Sequence, residues 1–149
     1  MVLNASKTKI LLVTGKRLEK KTPDTNLKLS CSGNEIEQIT SQKLHGVKLD
    51  NHLSFTEHID GICKKVSQRI AALKKIKHNL PLAERKLYFN ALVKPIILYG
   101  SCAWCTSSEK NVNRVSKLQK RAARVILDAD IGERSEVLFR QLDWLPLKE

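Results

Sequence analysis

From Ile59 onward the apolar residues fall at Ile59, Ile62, Cys63, Val66, Ile70, Leu73 and Ile76, steps of three and four that only a helix gathers onto one side. Lys64, Lys65, Gln68 and Lys75 then project from the opposite face. Just upstream, Ser54-Phe55-Thr56-Glu57 has the S-x-x-E spacing of a capping box, so the chain is expected to turn helical a few residues beyond Asp50. Asn79-Leu80-Pro81 ends this helix. Pro81 suits the first turn of a second, about Leu82 to Val93, with Leu87, Tyr88, Ala91 and Leu92 inward, until Pro95 breaks or kinks it before Ile96–Tyr99. Ser107 or Ser108 can cap a third helix, Asn111 to about Leu127, with Val112, Val115, Leu118, Ala122, Val125 and Ile126 as its apolar stripe. A last short helix holds Val137, Leu138 and Leu142, ahead of Trp144-Leu145-Pro146-Leu147.

Before Asp50 the helical period is absent. Ile10-Leu11-Leu12-Val13, closed by Thr14-Gly15, reads as a short buried strand, and Lys16 to Pro23 as a basic connection without a pattern. Leu27, Leu29 and Cys31 alternate with polar residues, Ser32-Gly33-Asn34 offers a turn, and Ile36 and Ile39 continue beyond it, which together predict a hairpin. Leu44 to Leu49 suggests one more strand, with Gly46 as a bulge or close backbone approach. The expected fold is therefore α+β: a small antiparallel sheet followed by a basic three- to four-helix bundle. At 149 residues the chain has room for one compact unit or two small ones. No apolar run reaches membrane-helix length and the amino terminus has no signal-peptide layout, so no membrane partner and an intracellular site, nuclear or cytoplasmic, are expected.

Charge supplies the first functional clue. The net charge is +12, but residues 61–127 alone carry fifteen Lys and Arg against Glu84 and Glu109. A basic surface this concentrated repels itself, and a polyanionic partner is the commonest reason to keep one. Arg114, Lys117, Arg121 and Arg124 recur at steps of three, four and three, so they share one helix face, with Lys120 at its border. Such a rod suits the phosphates of a duplex, contacts that position without reading sequence.

Other chemistry is weakly signalled. Cys102 and Cys105 have C-x-x-C spacing, but no second pair follows at zinc-finger distance, and their apolar setting reads as two buried thiols rather than a metal site. His52 and His58 flank an expected turn, where His58 reads as a cap or packing residue. Asp128-Ala129-Asp130 reads as a solvated helix terminus, and Tyr88, Phe89, Tyr99 and Trp104 as core aromatics rather than base-stacking platforms.

An ordered set of short motifs resembles one family. Leu3-Asn4-Ala5-Ser6-Lys7-Thr8-Lys9 is similar to the LN-x-x-KT segment of non-LTR, LINE-type and jockey-like retrotransposon reverse transcriptases. Leu44-His45-Gly46-Val47 resembles their primer-grip box, and Leu53-Ser54-Phe55 with His58-Ile59 their entry to the thumb. Pro95 to Tyr99-Gly100 and Trp104 resembles P-x-x-x-Y-G-x-x-x-W, and Leu118 to Arg124 the L-Q-K-R-A-x-R helix. The resemblance implies palm-end strands over 1–50, a thumb-like bundle over 51–127 and the start of a truncated C-terminal helical extension over 128–149. It implies an RNA-directed DNA polymerase segment gripping the backbone of an RNA–DNA or DNA duplex, with the rest of the palm and the fingers as further partners.

The nucleic-acid-binding candidates are then Lys7, Lys9, His45, Gly46, Lys64, Lys65, Lys75, Arg114, Lys117, Lys120, Arg121 and Arg124. In that family the lysine corresponding to Lys7 lies near the leaving pyrophosphate, where a cation stabilises developing charge. The chain has no Tyr-x-Asp-Asp, so catalytic residues, cofactor and metal are expected to be none here, the Mg²⁺ ions belonging to the missing catalytic part, and the chain alone is expected to be inactive. Two rivals stand beside this reading: a stand-alone basic helical nucleic-acid-binding or adaptor module, and a non-functional retrotransposon relic.

Overall fold

A computed structural model describes residues 4, 7–21, 26–31 and 33–147. Leu3, Ala5 and Ser6 of the first motif, Pro23 of the basic connection and Ser32 of the expected turn lie outside these residues. The chain divides into two compact units, Met1–Phe55 and Thr56–Glu149.

In the first unit the strands are very short. β1 (Ile10–Leu11) pairs in parallel with β4 (Gln38–Ile39). β2 (Ser30–Cys31) and β3 (Asn34–Glu35) form the expected hairpin, extended by the Ile36 amide donating to the Leu29 carbonyl at 2.9 Å. Leu27 and Leu29 are exposed rather than core-facing. β1 is half-buried and stops before Val13, which is 48% exposed. The basic connection contains one helical turn, α1 (Lys16–Glu19).

The segment read as a single strand around Gly46 is a hairpin. β5 (Ser41–Leu44) and β6 (Val47–Asp50) are antiparallel, in a register that sets Leu44 opposite Val47. His45 (φ 45°) and Gly46 (φ 83°) are the two loop residues. Positive φ at both is what a type I′ turn requires, because its twist matches that of the strands it joins. Gly46 therefore reverses the chain rather than bulging it.

Beyond β6 the chain passes through a loop built on Asp50. Leu53 (φ 49°) and Phe55 (φ 54°) both adopt the left-handed region, which costs each a steric penalty. The Asp50 carboxylate offsets it by accepting from the amides of His52 and Ser54 (both 3.0 Å) and Phe55 (2.9 Å) and from Ser54 Oγ (3.0 Å). Burial alone raises the Asp50 pKa, but these four donors outweigh it and hold the carboxyl below its ordinary value. A depressed carboxyl stabilises the fold at neutral pH, and the effect is lost as pH falls through the folded value. Asp50→Ala is expected to cost about 3 kcal/mol in urea unfolding at neutral pH, since four bonds to one charged, half-buried acceptor are lost together. The gap from the parent protein should narrow as pH falls below the ordinary carboxyl range and through the folded value, and a gap that does not change with pH would contradict this account.

The second unit is helical. α2 (Thr56–Ile76) buries Ile59, Ile62, Val66, Ile70 and Leu73, while Cys63 is half-buried and Ile76 is exposed. A short 3₁₀ turn (Lys77–Asn79) leads through Pro81 into α3 (Leu82–Tyr88). The helix then widens into a π-helical turn (Phe89–Val93) that runs into α4 (Lys94–Leu98). Pro95 explains the widening: it has no amide to offer the carbonyl four residues back, and its ring crowds that carbonyl. The wider turn rotates the inward face. Leu87, Ala91 and Leu92 are exposed and Tyr88 half-buried, whereas Phe89, Val93 and Ile97 are buried, which corrects the expected inward set.

Gly100 then takes the left-handed conformation (φ 63°) and opens α5 (Ser101–Trp104). Trp104 is fully buried and its indole Nε1 donates to the Tyr99 carbonyl at 3.1 Å, so the Tyr-Gly-x-x-x-Trp sequence folds back on itself. Tyr99, expected in the core, is 56% exposed. α6 (Glu109–Leu127) packs on α2, and α7 (Ser135–Leu142) packs on α6. Ser108 holds the N-cap position of α6 without a side-chain cap bond.

Candidate nucleic-acid interface

α6 is amphipathic because its period is nearly undisturbed over 19 residues. Its buried side carries Asn111, Val112, Val115, Ser116, Gln119, Ala122, Ala123, Val125 and Ile126. Leu118, expected on that stripe, is half-buried at its edge, and Gln119 takes the inward place. A polar side chain is tolerated there because both ends are satisfied: Nε2 donates to the Leu145 carbonyl (2.9 Å) and Oε1 accepts from the Leu147 amide (3.1 Å). The C-terminal segment is thus laid along the bundle, with Trp144 stacked on Phe89 at 4.0 Å between ring centroids.

At 100° per residue, Lys110, Asn113, Arg114, Lys117, Lys120, Arg121 and Arg124 span an arc of about 120° centred opposite the buried stripe. Lys110 and Asn113 extend the set read from the sequence. Their positions are legible in the sequence, one turn ahead of Arg114 at the same three- and four-residue steps. From Lys110 to Arg124 the strip is about 21 Å long.

The cations in the strip differ in their surroundings. Arg114 Nη2 lies 2.6 Å from Asp60 of α2, and that bond holds the guanidinium pKa above its usual value. Arg124 Nη2 donates to the Glu133 carbonyl at 3.3 Å, while its Nε is buried without a partner. Lys110, Lys117 and Arg121 are exposed and Lys120 is half-buried. The far end of α6 is secured by Arg85, which donates from Nε to the Leu80 carbonyl (2.7 Å) and from Nη1 to the Ile126 carbonyl (3.0 Å). Lys77 pairs with Asp128, the left-handed C-cap residue, and that pairing lowers the Asp128 carboxyl. Nothing in the periodicity pointed to Arg85 or Lys77, because both act across the bundle rather than along a helix.

On α2, Lys64, Lys65 and Lys75 are exposed, a second basic strip of the same unit. His58, half-buried near Lys65, has its pKa lowered by burial and by that lysine's charge. In the first unit, Lys7 and Lys9 line a groove of about 340 Å³ with Leu11, Ile39, Gln42 and Leu44. Lys9 also pairs with Glu37 at 2.9 Å. His45 and Gly46 sit at the exposed tip of the β5–β6 hairpin. His52 bridges Glu19 (3.2 Å) and the Thr14 carbonyl (3.0 Å).

Cys102 and Cys105 are both exposed, contrary to the buried pair expected from their apolar neighbours. The reason is angular: Trp104 takes the one buried direction of a four-residue helix, leaving the cysteines on the outside. No group of three or more His, Cys, Asp or Glu suited to a metal ion occurs among the described residues. No helix among them is long and apolar enough to cross a membrane.

Comparison with curated proteins settles the lineage. The chain is 30% identical over 117 residues to the probable RNA-directed DNA polymerase from transposon BS of Drosophila melanogaster, a match covering 76% of this chain. The chain belongs to the transposon-encoded RNA-directed DNA polymerases. A second relative, the probable RNA-directed DNA polymerase from transposon X-element of the same fly, is 24% identical over 110 residues and 72% of this chain. The matched stretch spans 13% and 12% of the length of these two polymerases. No protein-family model and no solved structure matches. Membership agrees with the motif resemblance. In this structure the segments that carry the resemblance have local structural roles: Tyr99-Gly100 with Trp104 is a self-closing turn, Leu53-Ser54-Phe55 belongs to the Asp50 loop, and Gln119 clamps the C-terminal segment.

Proposed function

We propose that this polymerase-family chain grips a nucleic-acid duplex, with the helical unit acting as a thumb and α6 as its contact rod. The observation that carries this reading is the basic arc of α6, which contains no acid of the helix. Seven polar positions face away from the core, six of them cationic, with Glu109 the sole acid in the helix. A solvated face kept only for solubility would intersperse acids.

Backbone binding of this kind is sequence-tolerant, because guanidinium and ammonium groups meet phosphates that every duplex presents alike. The Lys64, Lys65 and Lys75 strip of α2 adds to the field that draws a polyanion to this unit. In the first unit, Lys7 and Lys9 offer cations in a groove and the His45-Gly46 hairpin offers a projecting backbone turn, both suited to a primer strand. The carboxylates that hold Mg²⁺ belong, on this reading, to a catalytic portion other than these residues, and the chain alone extends no primer. The remaining palm and fingers are its protein partners, and its working place is nuclear or cytoplasmic.

Titration of an RNA–DNA hybrid at increasing salt tests the proposal. With about five phosphates neutralised, log K against log salt should fall with a slope of roughly −4 to −5. A slope near zero, or affinity that depends strongly on duplex sequence, would refute backbone gripping.

A further inference from the structure

The two cysteines of α5 answer to chemistry that duplex gripping does not use. Cys102 lies inside the helix, and Cys105 closes it in right-handed helical conformation (φ −64°, ψ −17°), its amide donating to the Ser101 carbonyl at 2.9 Å. Three residues along an α-turn place Cα atoms about 5 Å apart, inside the roughly 4.4–6.8 Å window that a disulfide spans. The two positions are separated by about 60° around the helix axis, so their side chains leave on neighbouring directions. Both residues are exposed, and Cys102 lies near enough to add to the effect of burial in raising the Cys105 thiol. The helix between them cannot swing away, because Trp104 is fully buried and hydrogen-bonded to the Tyr99 carbonyl.

We infer that Cys102 and Cys105 form a surface dithiol that closes to an intrahelical disulfide by exchange with a small-molecule disulfide such as oxidised glutathione. The Cys102 thiolate, its proton given to solvent, attacks one sulfur of the glutathione disulfide. That S–S bond breaks and one glutathione leaves as a thiolate that takes up a proton. The Cys105 thiolate then attacks the Cys102 sulfur of the mixed disulfide and expels the second glutathione. Two protein thiols are oxidised to one disulfide, and one glutathione disulfide is reduced to two thiols. Burial pushes the Cys105 thiol up, and the neighbouring Cys102 adds to this, so Cys105 is the poorer first attacker and acts in the second step, where the turn holds it beside the mixed disulfide. Cys31 and Cys63 are only half-exposed, and burial also raises the Cys63 thiol, so neither competes well.

The whole chain is equilibrated in glutathione redox buffers, acid-quenched, alkylated and digested. The expected product is a Leu87–Lys110 peptide lighter by two hydrogens, which chymotryptic cleavage after Trp104 fails to separate into two until it is reduced. The equilibrium constant for closure should be at least roughly tenfold larger in native protein than in guanidinium, because the folded turn pre-positions the thiols. Cys102→Ser and Cys105→Ser should each retain one glutathione at the remaining thiol, since the resolving partner is gone. Free thiols throughout, a lasting glutathione adduct on the unaltered chain, or an equal constant in denaturant would each overturn the inference.

Discussion

Reversing Lys110, Lys117 and Arg121 to glutamate is expected to weaken binding to an RNA–DNA hybrid by two to three orders of magnitude at about 0.1 M salt. These three are the exposed members of the α6 arc. Arg114 is engaged by Asp60, and Arg124 by the Glu133 carbonyl, so charge reversal there would also disturb packing. Each phosphate contact contributes about 0.9 to the salt slope. The slope should therefore flatten from roughly −4 or −5 toward −2, while the loss of affinity is the same for every duplex sequence. The helix itself should persist, because all three positions face away from the buried stripe, glutamate is a good helix former, and an acid at position 110 favours the helix N-terminus. Circular dichroism of the triple variant checks that point. A folded variant with unchanged affinity would remove α6 from the interface.

Trp104→Ala should cost the helical unit about 3–5 kcal/mol, the largest single-residue effect expected in this chain. Trp104 is the largest fully buried side chain, and its loss opens a cavity where α5 meets the bundle. It also orphans the hydrogen bond to the Tyr99 carbonyl, on which the left-handed turn at Gly100 closes. Trp104→Phe separates the two contributions: it keeps most of the apolar volume and gives up the indole donor, so roughly 1–2 kcal/mol should be lost. Urea unfolding followed by far-UV circular dichroism reads both variants. An alanine variant as stable as the phenylalanine one would mean that α5 contributes little to the core.

The relatives named as polymerases of mobile elements are whole proteins many times longer than this chain. Whether the helical unit grips a duplex by itself is what the salt titration decides. The adaptor and relic readings gain nothing specific from the structure.

What the sequence determined by itself is the set of features governed by near neighbours along the chain. The change from strand to helix after Asp50, the α2 stripe from Ile59 to Leu73 and the basic face of α6 all follow from a single undisturbed period. Tertiary structure decided wherever that period is broken or where partners lie far apart in the chain. Pro95 forces the π-helical turn that moves Phe89, Val93 and Ile97 inward in place of Leu87 and Leu92, and a fixed 3.6-residue repeat has no means of anticipating the added rotation. His45 and Gly46 read as strand until paired β5 and β6 demand a reversal between them. Gln119 is inside because the carbonyl of Leu145 and the amide of Leu147 wait there, and Cys102 and Cys105 are outside because Trp104 has taken the inward direction. Hydrogen-bond satisfaction and competition for one buried face are properties of the assembled fold, so they become visible only when the distant segments meet.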